Sequence, residues 1–223
     1  MNAKTTHLDE HRSIEIISQM INETNADIDR ESGKYFLLWG YTTTIVALFE
    51  YFMQVLSPYK TLCLWAWFLI PIVGGLGTLW LNIRNTRKIR RPKSYIDRSI
   101  SAVWQVFGLA YGMVYITALA YHTNILFLTV VLMGMATVIT GKICRHRVLT
   151  VAGAVGIVLS LLFPAQHFIF ETYSHVIFDV DMAQTEFLFL RYSEIAIFAV
   201  IFVIMMIIPG HILNKRAKIE NNA

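Results

Sequence analysis

Charge is scarce in this sequence. Asp, Glu, Lys and Arg make up 15% of its 223 residues, against about 25% in soluble domains. Hydrophobic residues make up 56%, and the mean hydropathy is +0.53. That balance excludes an ordinary water-facing globular surface. Cysteine is scarcer still, with only Cys63 and Cys144. No CxxC or Cys/His finger spacing exists, so a structural zinc site is not supported. A disulfide needs Cα atoms within about 7 Å, and a bilayer would separate these two. A phosphate-binding loop is also missing: GGLG at 74–77 lacks the Lys-Ser/Thr ending and lies inside an apolar run. HExxH and GxSxG are absent too, and nothing pairs a nucleophile with a base. The sequence leans away from an enzyme, and no cofactor is expected.

What is abundant is long apolar runs. Six of them, 35–56, 61–83, 99–121, 124–141, 148–170 and 187–210, approach the roughly 20 residues that cross a bilayer as helix. They predict an all-α fold, a polytopic bundle of six transmembrane helices. The chain divides into a polar arm (1–34), a membrane domain (35–212) and a short tail (213–223). The arm has neither a continuous apolar core nor a small-residue cleavage site, so it does not read as a secretory signal peptide. The first run, beginning KYFLLWGYTTTIVALF, then acts as an uncleaved insertion signal.

Basic residues orient the bundle. With the N-terminus inside, the inner segments collect Lys4, Arg12, Arg30, Lys34, Arg84, Arg87, Lys88, Arg90, Arg91, Lys93 and Arg98. They also collect Lys142, Arg145, Arg147, Lys215, Arg216 and Lys218, leaving only Lys60 and Arg191 of the 19. Both termini are therefore expected in the cytoplasm. The loop IRNTRKIRRPKSYIDR suits this topological role and contact with anionic lipid headgroups. It is too short to fold alone, and no nucleic-acid partner is expected.

The arm predicts an amphipathic helix. Thr6-His-Leu-Asp9 resembles a capping box, and Ile14, Ile17, Ile21 and Ile28 share a face. Its seven acids would be repelled by anionic lipid. That favours a cytoplasmic protein partner for residues 7–30, or the chain's own basic loop. His7, His11 and Glu15 could share a face and hold a metal, but a solvated arm explains them equally well.

Within the spans, Gly108/Gly112 and Ala152/Gly156 have the four-residue spacing that lets helices approach closely. Packing inside the bundle or a homodimer seam would both use them. Pro71 with Gly74, Gly75 and Gly77, and Pro164 with Gly153 and Gly156, are breakers in the second and fifth runs, a weak hint of transporter-like repeats. The sixth run is apolar nearly all round and is expected to face lipid.

Three charged residues stand at the outer ends of spans. Glu50 lies six residues before Leu56, while Arg191 and Glu194 open the last run. A charge in hydrocarbon is expensive unless paired. Glu50 is therefore expected to face Arg191, with Glu194 as a second acceptor one turn deeper. In the outer loop, His167, Glu171, His175 and Asp179 recur at steps of four. If the fifth helix continues past Phe170, they stack along one side and could ligate a divalent metal or respond to acid. An ordinary wet face of an amphipathic segment explains the row as well.

The phrases FLLWGY, WFLIPIVGG, SYIDRSISAVW and IIPGHILN resemble uncharacterised small six-span inner-membrane proteins of Bacteroides-type gut bacteria. The similarity runs along most of the chain. It implies a bacterial inner membrane and a signalling or stress context, such proteins often being encoded beside small winged-helix regulators. It carries over no catalytic or binding residues. The function expected is a non-enzymatic sensor or interaction subunit acting through the arm. A small transporter or channel built around Glu50, Arg191 and Glu194 is the alternative.

Overall fold

The computed structural model of the chain describes residues 32–56, 64–88, 95–121, 125–177 and 183–220. The arm helix expected over 6–31, with its possible metal ligands, lies outside them. Among the described residues every regular element is helical, and six helices are long and apolar enough to cross a membrane. The first, α1, spans Ser32–Leu56. A 3-10 turn, Leu64–Phe68, leads into α2, Leu69–Lys88, and α3 follows at Tyr95–Tyr121. Next come α4 (Ile125–Ile143), α5 (Arg147–Ser160) and α6 (Leu162–Ile177). Helix α7 (Ala183–Phe202) passes through a π turn, Val203–Ile207, into α8, Ile208–Glu220.

Side-chain contacts fix the direction of neighbours. Tyr35 donates to Asn82 Oδ1 at 2.5 Å and Trp39 Nε1 to Thr78 Oγ1 at 3.1 Å, so α2 runs against α1. Gly33 abuts Gly210 and Asn214, whereas Gln54 meets Tyr192, so the last span also runs against α1. Helix α5 doubles back along α4 through Gly134, Gly141, Gly153 and Thr150.

Two prolines share one placement, Pro71 as the third residue of α2 and Pro164 as the third of α6. Pro209 instead lies inside the last span, just past its π turn. Proline has no N–H to give and is tolerated in a first helical turn, where that donor has no partner anyway. Pro71 therefore starts α2 after its 3-10 turn and does not break it. Pro164 follows the interruption at Leu161, whose N–H bonds Val158 O at 3.1 Å. Before Pro209 the helix widens, and Ile208 N–H reaches back five residues to Val203 O. A proline ring presses on the carbonyl four residues earlier, here Met205, and the wider turn gives that carbonyl room. Two glycines close on the widened turn from either side. A Cβ added at Gly40 would meet Ile207 at 2.9 Å, and one at Gly156 would meet Met205 Sδ at 2.6 Å.

The α4–α5 turn is equally specific. His146 N–H bonds Gly141 O at 2.8 Å and Arg145 N–H bonds Lys142 O, with Arg145 at φ 58°. This is the Schellman pattern, in which the left-handed position is usually glycine.

The core corrects one expectation. The last span does not face lipid all round: Ile195, Phe198, Ala199, Ile201, Phe202, Met205 and Met206 are buried and join Phe36, Ala47, Val130, Met133, Leu149, Phe163 and Leu213 in one cluster, while Val200 and Ile208 stay exposed. Lipid tails are as apolar as leucine, so an all-round apolar helix fits the centre of a membrane bundle as readily as its rim. Helix α3 is the opposite case, with none of its apolar window buried. Its aromatic side packs inward, Trp104 edge-on to Phe36 at 6.0 Å and Tyr115 to Phe68 at 5.4 Å. Among the described residues nothing lies within 4 Å of where a Cβ would stand at Gly108 or Gly112. Ala152 and Gly156, by contrast, are buried as expected.

Candidate functional site

The polar site begins with one stripe of α1. Thr43, Ala47, Glu50 and Gln54 follow each other at steps of four, three and four, which a helix lines up on one face, and all four are buried. Glu50 has no exposed surface at all. A carboxyl group in such surroundings is costly unless hydrogen-bonded. Gln54 Nε2, one turn on, donates to Glu50 Oε1 at 2.7 Å.

The helix end supplies the next link. The last four carbonyls of a helix have no intrahelical donor, and Gln54 lies in the last turn of α1. Its carbonyl accepts instead from Tyr192 Oη on α7 at 2.9 Å. The Tyr192 ring stands edge-on to Tyr51, with centroids 6.5 Å apart. Beside Tyr192, Ser193 accepts a long bond of 3.4 Å from Gln166 Nε2, which brings α6 to the same level. Glu50, Gln54, Tyr192, Ser193 and Gln166 thus gather at the end of the bundle where α1 finishes.

Of the residues singled out from sequence, Glu50 lies at the centre of this cluster. Glu194 is half-buried, two residues beyond Tyr192 on α7. The backbone of Arg191 belongs to α7 immediately before Tyr192. Its side chain, and with it the expected Glu50–Arg191 pair, lies outside the described residues. Gln54, Tyr192 and Gln166 went unnoticed in the sequence. The four-residue step from Glu50 to Gln54 was a readable signal, whereas Tyr192 depends on where α1 ends.

The second candidate row is in part brought onto one element. Helix α6 continues past Phe170 to Ile177, so His167, Glu171 and His175 share it at steps of four. His167 is exposed. The side chains of Glu171 and His175, and Asp179 altogether, lie outside the described residues. Among the described residues no three His, Cys, Asp or Glu side chains gather as a metal site.

A cavity of about 270 Å³ lies close by, lined by Leu159 and Leu162 near the α5–α6 interruption and by Ala196, Ile197, Val200, Ile201 and Ile204 of the last span. Its lining is wholly aliphatic and suits hydrocarbon rather than a hydrophilic solute. The far end of α1 carries a different polar set. Tyr41 Oη and His211 Nε2 are 2.7 Å apart on the exposed surface, tying α1 to α8. The chain matches no protein-family model, no curated protein and no solved structure.

Proposed function

We propose that this chain is a non-enzymatic sensor or interaction subunit of a bacterial cytoplasmic membrane, acting through its N-terminal arm. The observation that carries the reading is the continuity of α1. One unbroken helix of 25 residues begins at Ser32, within the last residues of the arm, and ends at the Glu50–Gln54–Tyr192 cluster. A change of charge or hydration at Glu50 alters the bond that holds α1 to α7. A rigid helix transmits the resulting shift along its length to the arm. The seven acids of the arm and the basic 84–98 loop give that shift a cytoplasmic target, the loop itself or a partner protein.

The orientation in this reading follows from cations. The alternating spans carry Lys34, Arg84, Arg98, Lys142, Arg145, Arg147, Lys215 and Arg216 to the end where α1 begins. An excess of Lys and Arg marks the cytoplasmic side, so the Glu50 cluster belongs to the outer leaflet and both termini to the cytoplasm. A transporter is the second reading. It is favoured by a buried carboxyl group beside the interrupted α5–α6 span, since interrupted spans often frame solute sites.

Deleting residues 1–30 separates the two. Crosslinking pull-downs from native membranes should recover a cytoplasmic partner with the full chain and lose it with the deletion, while Glu50→Gln alters the yield. Solute flux that survives the deletion and disappears in Glu50→Gln would overturn the sensor reading in favour of transport.

A further inference from the structure

One face of α3 is chemically out of place against lipid. Ser101, Gln105, Gly108 and Gly112 follow at steps of four, three and four, and therefore share a face. It lies beside the inward aromatic face of Trp104, Phe107 and Tyr111. Ser101, Gln105 and Gly108 are exposed, and among the described residues nothing lies within 4 Å of a Cβ added at either glycine. Gln105 stands seven residues past Arg98, about 10 Å along the span at 1.5 Å per residue. A primary amide at that depth finds no hydrogen-bonding partner among lipid tails. Its bond to Ser101 Oγ, 3.4 Å long and within the helix, uses one donor of a group with two donors and an acceptor oxygen.

We propose that this face is a homodimer interface, closed by α3 of a second copy related by a two-fold axis along the membrane normal. Three features of the face favour that occupant. Copies inserted in the same direction hold Gln105 at one depth, and an amide is complementary to itself because it both donates and accepts. The two bare glycines let the helix backbones approach closely, as small residues do in membrane interfaces. At the start of α3, exposed Asp97 and Arg98 flank the same face. An acid and a base side by side at one depth make the patch complementary in charge to a copy of itself. A two-fold interface is isologous, and this patch is self-complementary in the sense that such symmetry requires.

The glycines also make the test clean, because a Cβ added at either meets no atom of the described residues within 4 Å. Full-length chains with Cys63 and Cys144 replaced by serine would carry Ser101→Cys on the face or Val158→Cys, also exposed, on α5. Mild oxidation in native membranes should link Ser101→Cys into a species of twice the chain mass and leave Val158→Cys unlinked. Adding Gly108→Ile and Gly112→Ile should cut that product about tenfold, equivalent to ~1.4 kcal/mol of association. Photobleaching of otherwise wild-type chains, each bearing one fluorophore, should change from two steps to one with the same two substitutions. Equal linking at 101 and 158, linking to a chain of different mass, or single-step bleaching of the wild-type chain would each overturn the proposal.

Discussion

Replacing Gly153 by alanine asks whether the α4–α5 seam is built on backbone contact. A Cβ at position 153 would lie 2.8 Å from Gly134 O, 2.8 Å from Val138 N and 2.9 Å from Val138 Cγ2. Carbon atoms rest at about 3.5–4.0 Å from their neighbours, and two of these three obstacles are backbone that cannot rotate away. The helices must part by roughly 0.5–1 Å, and the neighbouring contacts at Gly134 and Gly141 loosen with them. Overpacking of this kind costs about 1–3 kcal/mol. Alanine also gains about 1 kcal/mol over glycine in helix propensity, so the useful comparison is with an unobstructed glycine. Gly75 in α2 has nothing among the described residues within 4 Å of an added Cβ, and Gly75→Ala carries the propensity gain alone. Subtracting one variant from the other leaves the clash. At about 2 kcal/mol it corresponds to a difference of roughly 4–8 °C in melting temperature for a chain of this size. Cys144, a half-buried thiol outside any disulfide in the α4–α5 turn, reports opening of the seam to a thiol-reactive dye in a Cys63→Ser background. Melting of Gly153→Ala and Gly75→Ala at the same temperature would refute the close-contact account of this hairpin.

Two further substitutions probe the helix ends. Tyr192→Phe removes the donor to the Gln54 carbonyl and should destabilise the protein in detergent by about 1–3 kcal/mol, the cost of an unsatisfied buried acceptor. An unchanged melt would mean that this bond does not hold α1 to α7. Arg145→Gly should raise the melting temperature, because the left-handed conformation costs a side-chain-bearing residue about 1–2 kcal/mol that glycine avoids. A lower one would show that the exposed guanidinium contributes more than the strained backbone costs.

The number of spans and the helical class were legible because apolar length is a property of the chain alone. The buried faces were not. Ile195, Phe198, Phe202 and Met205 form the core, while Val106, Leu109, Met113 and Ile116 of α3 are exposed, and the two sets are indistinguishable as residue types. In water the solvent would reject the wrong assignment, but lipid accepts either set at equal cost. Burial in this bundle is marked instead by residues that lipid does not favour. Glycines 40, 153, 156 and 210 stand where another helix comes within van der Waals contact, and Thr43, Glu50 and Gln54 form a polar stripe on one side of α1. Glycine spacing by itself does not decide the matter, since Gly108 and Gly112 repeat the four-residue step and meet nothing among the described residues. Polar atoms add the missing information, because each must find a partner wherever it lies. Threonines 129, 137 and 140 do so locally, each donating to the carbonyl four residues back in α4, and so place no demand on other spans. Glu50 and the Gln54 carbonyl are satisfied in part from further along the chain, which is why a site recognised at one glutamate draws in a tyrosine 142 residues away. By the same reasoning Gln105, whose only described bond is a long one within its own helix, points to something beyond the single chain.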